Sequence, residues 1–379
     1  MNKVYKLKNQ IMHYDWGSKT LLPQFLNVKN NDDKPYAELW MGTHKGAPSQ
    51  VFTDNNDKII NLTEIAGELP FLFKMLAVEK PLSIQTHPNK TQAEEGFKKE
   101  EKAGLSLDDP KRNYKDSNHK PEIICAITPI TLMGGFREPN DIIKSFENFV
   151  SLDNIFSDLI NEIKTNQYSN FFRALFNLSK AQIESICSFF NNLNEDDTNN
   201  SISKEQRDLL KKFASLYPND PAILSPLYLN IITLQPGQAI YVPAGIPHAY
   251  LSGFGAELMT SSDNVLRGGL TPKHIDIEEL MNILVFEPFY PRIINPPVSD
   301  ECFSYNTPCN EFLLTSVKKN GVIKLPVRGP VICIVTEGEL ITCGMSFKKG
   351  DSFFIPKDSE PAILSGDFSL FAASIDNVN

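Results

Sequence analysis

Four side chains in three separated stretches have types and spacings that suit a metal ion. In Gln85-Thr86-His87 the two-residue alternation of a strand turns Gln85 and His87 to one face. An amide oxygen and an imidazole nitrogen can both ligate a borderline metal such as zinc. The plainer reading is a strand-end histidine satisfied by a backbone bond. In Asn118-His119-Lys120-Pro121-Glu122, Glu122 opens the apolar run EIICAI. A carboxylate at the head of a buried strand needs a partner, because burying it alone is costly. A metal is one such partner, and Lys120 is another if the strand already starts there. The plainer reading is a solvated loop charge. In YVPAGIPHAY two prolines and a glycine stiffen the entry to the strand that carries His248, as suits a preorganised ligand. A lone core histidine is the alternative there.

Gln85, His87, Glu122 and His248 include no thiolate, which argues against a closed structural zinc site and leaves a position for water or substrate. The expected role is a divalent metal acting as Lewis acid or template. A second cluster lies in SSDNVLRGGLTPKH, where Asp263, Arg267 and Lys273 follow the strand GAELM with Glu257. Arginine binds a phosphate or oxyanion in fork geometry, and Gly268 and Gly269 let backbone approach a ligand. A surface Asp–Arg pair would explain the same residues. His13, His44, His119 and His274 read as surface or packing residues, Lys98–Lys102 as a solvated helix face, and Trp16 and Trp40 as core or pocket wall. The absence of GxGxxG, GxxxxGK[ST] and GxSxG leaves dinucleotide, P-loop and serine-hydrolase chemistry without support.

These residues need strands to hold them. AELWMG, LPFLFKMLAV, PLSIQTHP and EIICAITPITLMGGF are short apolar runs broken by Gly and Pro, the pattern of an all-β unit. TQAEEGFKKEEKAGL interrupts them as a helix. From about residue 140 to 217, DIIKSFENFV, NIFSDLINEI, NFFRALFNLS, AQIESICSFFNNL and KEQRDLLKKFASLY show apolar residues at helical spacing. Ser179 and Gln182 form a capping box, and NLNEDDTNNSISKEQ is a polar connector. LYLNIITL, QAIYVPA, HAYL and GAELM return to strands, so the helical unit is inserted into a β domain. EPFYPRIINPP reads as a linker to a second, smaller all-β domain.

At 379 residues the chain suggests two or three domains and needs no disulfide to hold a core. Its 37 Lys and Arg against 46 Asp and Glu, a net charge of −9, argue against a nucleic-acid partner. No run of 18 apolar residues reads as a membrane span, and the first residues do not resemble a secretory signal. Six cysteines without a CxxC pair fit a cytoplasmic protein with reduced thiols.

Taken together, HYDWGS, AELWMGTHKGAPS, LPFLFKMLAVEKPLSIQTHPNK, NYKDSNHKPE, YVPAGIPHAY and SSDNVLRGGLTPK resemble the type I mannose-6-phosphate isomerase family, in its order and roughly its spacing. The match spans about residues 5–275, with the helical block alike only in position and character and the C-terminal part loosely alike. The resemblance implies a mainly β fold with an inserted α-helical domain. Its parts are a cupin-type jelly-roll catalytic domain over 1–138 and 222–290, the helical insert over 139–221, and a C-terminal jelly roll over 291–379. It implies one zinc ion per chain on Gln85, His87, Glu122 and His248, with Arg267 as the active-site arginine. It sets Ser83, Lys120, Lys273 and Tyr250 against the substrate. The implied reaction interconverts mannose 6-phosphate and fructose 6-phosphate through a cis-enediol. For the base that moves the proton, Glu257 comes first and Asp263 second, and Ser83 and Lys120 are the expected phosphate contacts. The partner is a small sugar phosphate, with no nucleic acid or membrane, and the chain is expected to be a monomer. A metal-binding sugar-phosphate sensor and an iron-dependent oxygenase are the competing readings. The charged SSDNVLRGG loop argues against the first and the glutamine ligand against the second.

Overall fold

The structure is a computed structural model that describes residues 3–52, 58–165, 167–194, 201–297, 301–325 and 329–375. The chain is mainly β, in two antiparallel sheets. In the first sheet the organising element is the 13-residue strand His248–Thr260. Its second half pairs with Phe71–Val78 on one side and Glu122–Ala126 on the other. Its first half pairs instead with Ile130–Phe136 and with Gln85–Thr86. The register slips between Tyr250 and Ser252, and the partners change at Ser252-Gly253, where Gly253 takes φ +115°. A Cβ at Gly253 would stand 2.3 Å from the Pro129 carbonyl oxygen, so this corner needs glycine. Strands that pair with each half meet in one apolar cluster that includes Leu76, Ile124, Leu132, Ile232 and Tyr250, so the sheet folds back on its own core.

The second sheet contains the C-terminal strands Cys302–Tyr305, Leu313–Lys324, Val331–Thr342, Met345–Lys348, Ser352–Ile355 and Ile363–Ser374. It also takes in Tyr5–Lys8, Gln50–Phe52 and Ile59–Asn61, because Tyr5–Lys8 pairs with both Ser352–Ile355 and Gln50–Phe52. The N-terminal stretch therefore ties the two sheets together, a pairing between residues too far apart to be read from local pattern. Phe71, Phe73, Ile123 and Leu258 of the first sheet and Leu314, Ile332, Phe354 and Phe371 of the second share one buried cluster.

The helical stretches expected between the strands are present. Lys90–Lys102 follows the site strand, and Pro139–Glu147, Ile155–Lys164, Tyr168–Phe176, Lys180–Asn191 and Lys204–Leu216 form the helical block. Ser179 caps its helix through a box with Gln182, as the spacing predicts. Their apolar faces join Ile84, Met133, Leu266 and Leu270 in one core, so the block braces the strands that carry the site from outside. Part of the expected connector, residues 195–200, lies outside the described residues. The expected linker after Phe286 is partly structured: Ile293–Ile294 adds a short strand to Ala239–Val242. No described helix is long and apolar enough to cross a membrane.

Candidate metal centre

His87, Glu122 and His248 are buried and converge, with one ligand atom from each within 4.8 Å of the others. Strand pairing does this. Gln85 lies opposite His248 in register, and Glu122 heads the strand beside the other half of His248–Thr260. The turn before His248 is held by Gly245 at φ +80°, where a Cβ would meet the Val285 side chain at 2.7 Å and the Ile283 carbonyl oxygen at 2.9 Å. Gly245 N–H donates to the His87 carbonyl, linking two ligand segments directly.

Both imidazoles are oriented from behind. His87 Nδ1 donates to the Asn264 carbonyl at 2.8 Å and His248 Nδ1 to the Ile246 carbonyl at 2.9 Å. A carbonyl can only accept, so each Nδ1 carries a proton and each Nε2 is turned inward. Burial, reinforced by Lys120, pushes the His87 pKa down to about 3 and keeps that ring neutral. Burial alone would raise Glu122, but His248 and Lys120 beside it outweigh burial and hold it well below the usual carboxylate range. Glu122 Oε1 stands 2.9 Å from His248 Nε2, and Oε2 stands 3.5 Å from His87 Nε2. Two imidazole Nε2 atoms thus converge on one carboxylate. This set of nitrogen and oxygen donors suits zinc. The residues present fit the metal.

Beside the cluster opens a cleft of about 710 Å³, lined by Ser83, Gln85, Lys120, Asp263, Arg267 and Lys273 among others. Arg267 reaches it through a pairing inside a segment whose Gly-punctuated composition reads as a loop: Leu266–Arg267 is a two-residue strand whose Arg267 stands in register with Gln85. Gly269, at φ +121°, lets that segment pass Ala222, whose Cβ would lie 2.1 Å from a side chain there. Lys273 is held below its usual pKa, first by the nearby Arg267 and then by burial. Two cations thus destabilise each other at the cleft wall, a place prepared for an anion.

Other expected residues lie elsewhere. The Lys120 ammonium is buried over the cluster, 3.5 Å from His87 Nε2 and 3.7 Å from Glu122 Oε2, rather than beside Lys273. Tyr250 is buried behind the ligands, where its hydroxyl donates to Glu122 Oε1 at 2.9 Å. Glu257 is buried with Lys74 Nζ 3.0 Å away, and Lys74 also stands 3.6 Å from Glu38. Burial raises Glu257, Lys74 draws it down, and Glu122 and Glu38 leave it above the usual range. Asp263 is on the cleft wall and pairs with His44 Nε2 at 3.1 Å. Burial pushes its pKa up, and His44 together with Lys120 and Lys45 more than reverses that.

Sequence reasoning missed the role of His44 as the partner of Asp263 and the Glu38–Lys74 pair beside Trp40 on the cleft lining. Trp40 Nε1 donates to Glu38 Oε2 at 2.6 Å. Alternation along AELWMG and LPFLFKML could have flagged these polar residues inside apolar strands. Trp16 and Trp40 line the cleft, as pocket wall. Glu100 corrects the reading of Lys98–Lys102 as wholly solvated. It is buried against Arg112 at 3.1 Å and accepts the Asn113 and Tyr114 N–H groups, because a long loop folds back over that helix.

Comparison with known proteins agrees with this geometry. Residues 4–139 match the family described as phosphomannose isomerase type I, catalytic domain. The mannose-6-phosphate isomerase of Salmonella typhimurium is 35% identical, over 95% of this chain and 97% of that one. Its Escherichia coli counterpart is 33% identical, over 95% and 97%. A crystal structure of a zinc-bound mannose 6-phosphate isomerase superposes with a TM-score of 0.88 at 33% identity, covering 98% of this chain and 99% of that one. Full-length similarity at this level, with the expected motifs assembled around one cleft, leads to one conclusion: the chain belongs to the type I phosphomannose isomerase family of enzymes.

Proposed function

We propose that the chain is a zinc-dependent aldose–ketose isomerase that interconverts mannose 6-phosphate and fructose 6-phosphate through a cis-enediol of the open-chain sugar. The observation that carries this reading is the buried His87–Glu122–His248 cluster beside a cleft lined by Gln85, Lys120 and Arg267. Gln85, His87, Glu122 and His248 would hold a single zinc, which when bound supplies a Lewis acid for the sugar's carbonyl and adjacent hydroxyl.

The chain's own residues do the rest. Arg267 and Lys273, two neighbouring cations with no acidic partner among the described residues, bind the anionic parts of the substrate, and Ser83 adds a hydroxyl beside them. Lys273 and Ser83 take the phosphate, while Arg267 faces the oxygen on which charge develops. Lys120, buried over the cluster, is assigned to the reacting end rather than to the phosphate. A base must reach the C1–C2 proton before its basicity matters. That order of criteria favours Asp263 on the cleft wall, oriented by His44, over Glu257 behind Lys74. Tyr250 holds the Glu122 carboxylate in place.

The same reading gives the domains: a cupin-type jelly roll over 1–138 and 222–290, the helical insert over 139–221 and a C-terminal jelly roll over 291–379. The strands at Tyr5–Lys8, Gln50–Phe52 and Ile59–Asn61 are the seam between the two β parts. We assign the protein to the cytoplasm as a monomer.

A coupled assay on purified protein tests the activity. Fructose 6-phosphate should form from mannose 6-phosphate, the rate should vanish on chelation, and zinc should restore it. Turnover that ignores chelator rejects the metal, and no turnover at all in zinc-replete protein rejects the reaction. Two variants separate the assigned roles. Lys273→Ala should raise KM for the sugar phosphate roughly 10–100-fold with a smaller change in kcat, consistent with loss of one charged hydrogen bond of roughly 1.5–3 kcal/mol. Asp263→Asn should do the reverse, lowering kcat about 10²-fold or more. An exchange of those two patterns would reverse the assignments.

A further inference from the structure

Asn264 has no side-chain chemistry of its own to offer the reaction, yet every polar atom it carries is in use. Its side chain is fully buried. Oδ1 accepts the N–H groups of Lys115 and Asp116 at 2.7 and 3.2 Å. Nδ2 donates to the carbonyls of Asp116 and Asn118, both at 2.8 Å. Its backbone N–H donates to Ser262 Oγ at 3.2 Å, and its carbonyl accepts His87 Nδ1–H at 2.8 Å. Asp116 closes the arrangement from the other side, accepting from Ser262 Oγ and from the Asp263 N–H at 2.9 and 2.8 Å.

The partners of Asn264 belong to the separate segments that build the centre. His87 is one ligand. Asn118 lies two residues before Lys120 and four before Glu122, the second ligand. Asp263 and Arg267 share the loop of Asn264 itself. Gly245, in the turn before His248, donates to the His87 carbonyl and brings in the third ligand. The 115–118 loop satisfies backbone groups through this one carboxamide, and buried backbone groups must find a partner. Only asparagine has two donors and an acceptor at this reach: aspartate cannot donate, and glutamine is one carbon too long.

We propose that Asn264 is a positioning residue for the metal, clasping the Glu122 segment to the His87 segment and fixing His87 with its Nε2 lone pair toward the ion. The proposal rests on the zinc reading above and extends it to a residue outside the ligand set. Partners that orient metal-bound histidines typically contribute 10–100-fold to metal affinity.

The test is zinc affinity of the full-length protein, measured by competition with a chromophoric chelator, in the parent and in Asn264→Ala and Asn264→Asp. Both variants should bind zinc 10–100-fold more weakly, with Asn264→Asp the weaker because its carboxylate faces two carbonyl oxygens. The visible spectrum of the cobalt-loaded variants should shift, reporting altered ligand geometry. A purely structural role would lower the melting temperature of the metal-free protein while leaving zinc affinity and the cobalt spectrum alone. Zinc affinity within twofold of the parent in a folded variant overturns the proposal. If neither variant folds, Asp116→Asn loosens the same clasp from the opposite side, and unchanged zinc affinity there is equally fatal. A parent that binds no zinc overturns the metal reading as well, whereas equal binding by parent and variants overturns only the role of Asn264.

Discussion

Glu122→Gln is expected to lose zinc and, with it, about 10³-fold or more in turnover. The substitution keeps the shape of the side chain and removes the one anionic ligand. Glu122 is the shared partner of the site: Oε1 meets His248 Nε2 and the Tyr250 hydroxyl, each at 2.9 Å, while Oε2 faces His87 and Lys120. The carboxylate is held ionised against burial by His248 and Lys120, so its charge is available to the metal. With glutamine, neutral donors alone must hold a divalent ion beside the Lys120 ammonium. Lewis-acid stabilisation contributes several kcal/mol to such a transition state, and each 1.36 kcal/mol is a factor of ten. The check has two parts: metal content after dialysis against chelator, and kcat with zinc resupplied. Stoichiometric zinc together with turnover within tenfold of the parent would falsify the ligand assignment.

Arg267→Ala separates charge stabilisation from metal binding. It should lower kcat by roughly 10²–10³-fold while zinc content stays at the parent level, the size of effect seen when one preorganised donor to a developing oxyanion is removed. The structural reason to expect retention of zinc is that Arg267 touches the centre only through its register with Gln85 and lies outside the buried cluster. The reason to expect a loss of rate is its setting. Arg267 is on the cleft wall, its pKa is drawn down by burial, and Lys273 is close enough for the two to repel. A cation kept in that position without an acidic partner among the described residues is stabilised when an anion arrives. Near-normal turnover in zinc-replete Arg267→Ala would remove arginine from the chemistry.

Much of this was readable before any coordinates, and particular residues show why. Gln85 and His87 are a two-residue repeat, Glu122 marks the polar start of an apolar strand, and His248 follows a Pro-Gly-x-Pro stop. Each signal is local, so the chain near the residue determines it. The helices of the inserted block were legible for the same reason, since their apolar spacing and the Ser179–Gln182 box depend on neighbours within a turn or two. Glu257 and Lys120 show the limit. Both were recognised as candidates, but a carboxylate walled in by Lys74, 183 positions away, and an ammonium turned onto His87, 33 positions away, owe their roles to packing.

The amino-acid sequence by itself determined which atoms are available to a metal, the periods of the strands and helices, and the loop that carries Arg267. Only the tertiary structure decided that Arg267 stands across from Gln85, that His44 holds Asp263, that Asn264 joins the ligand segments, and that the first strand belongs with the last ones. The physical reason is the range of the forces. Propensity and alternation act along a few residues, whereas burial, hydrogen-bond satisfaction and the pKa values that follow from them depend on groups brought together from distant parts of the chain.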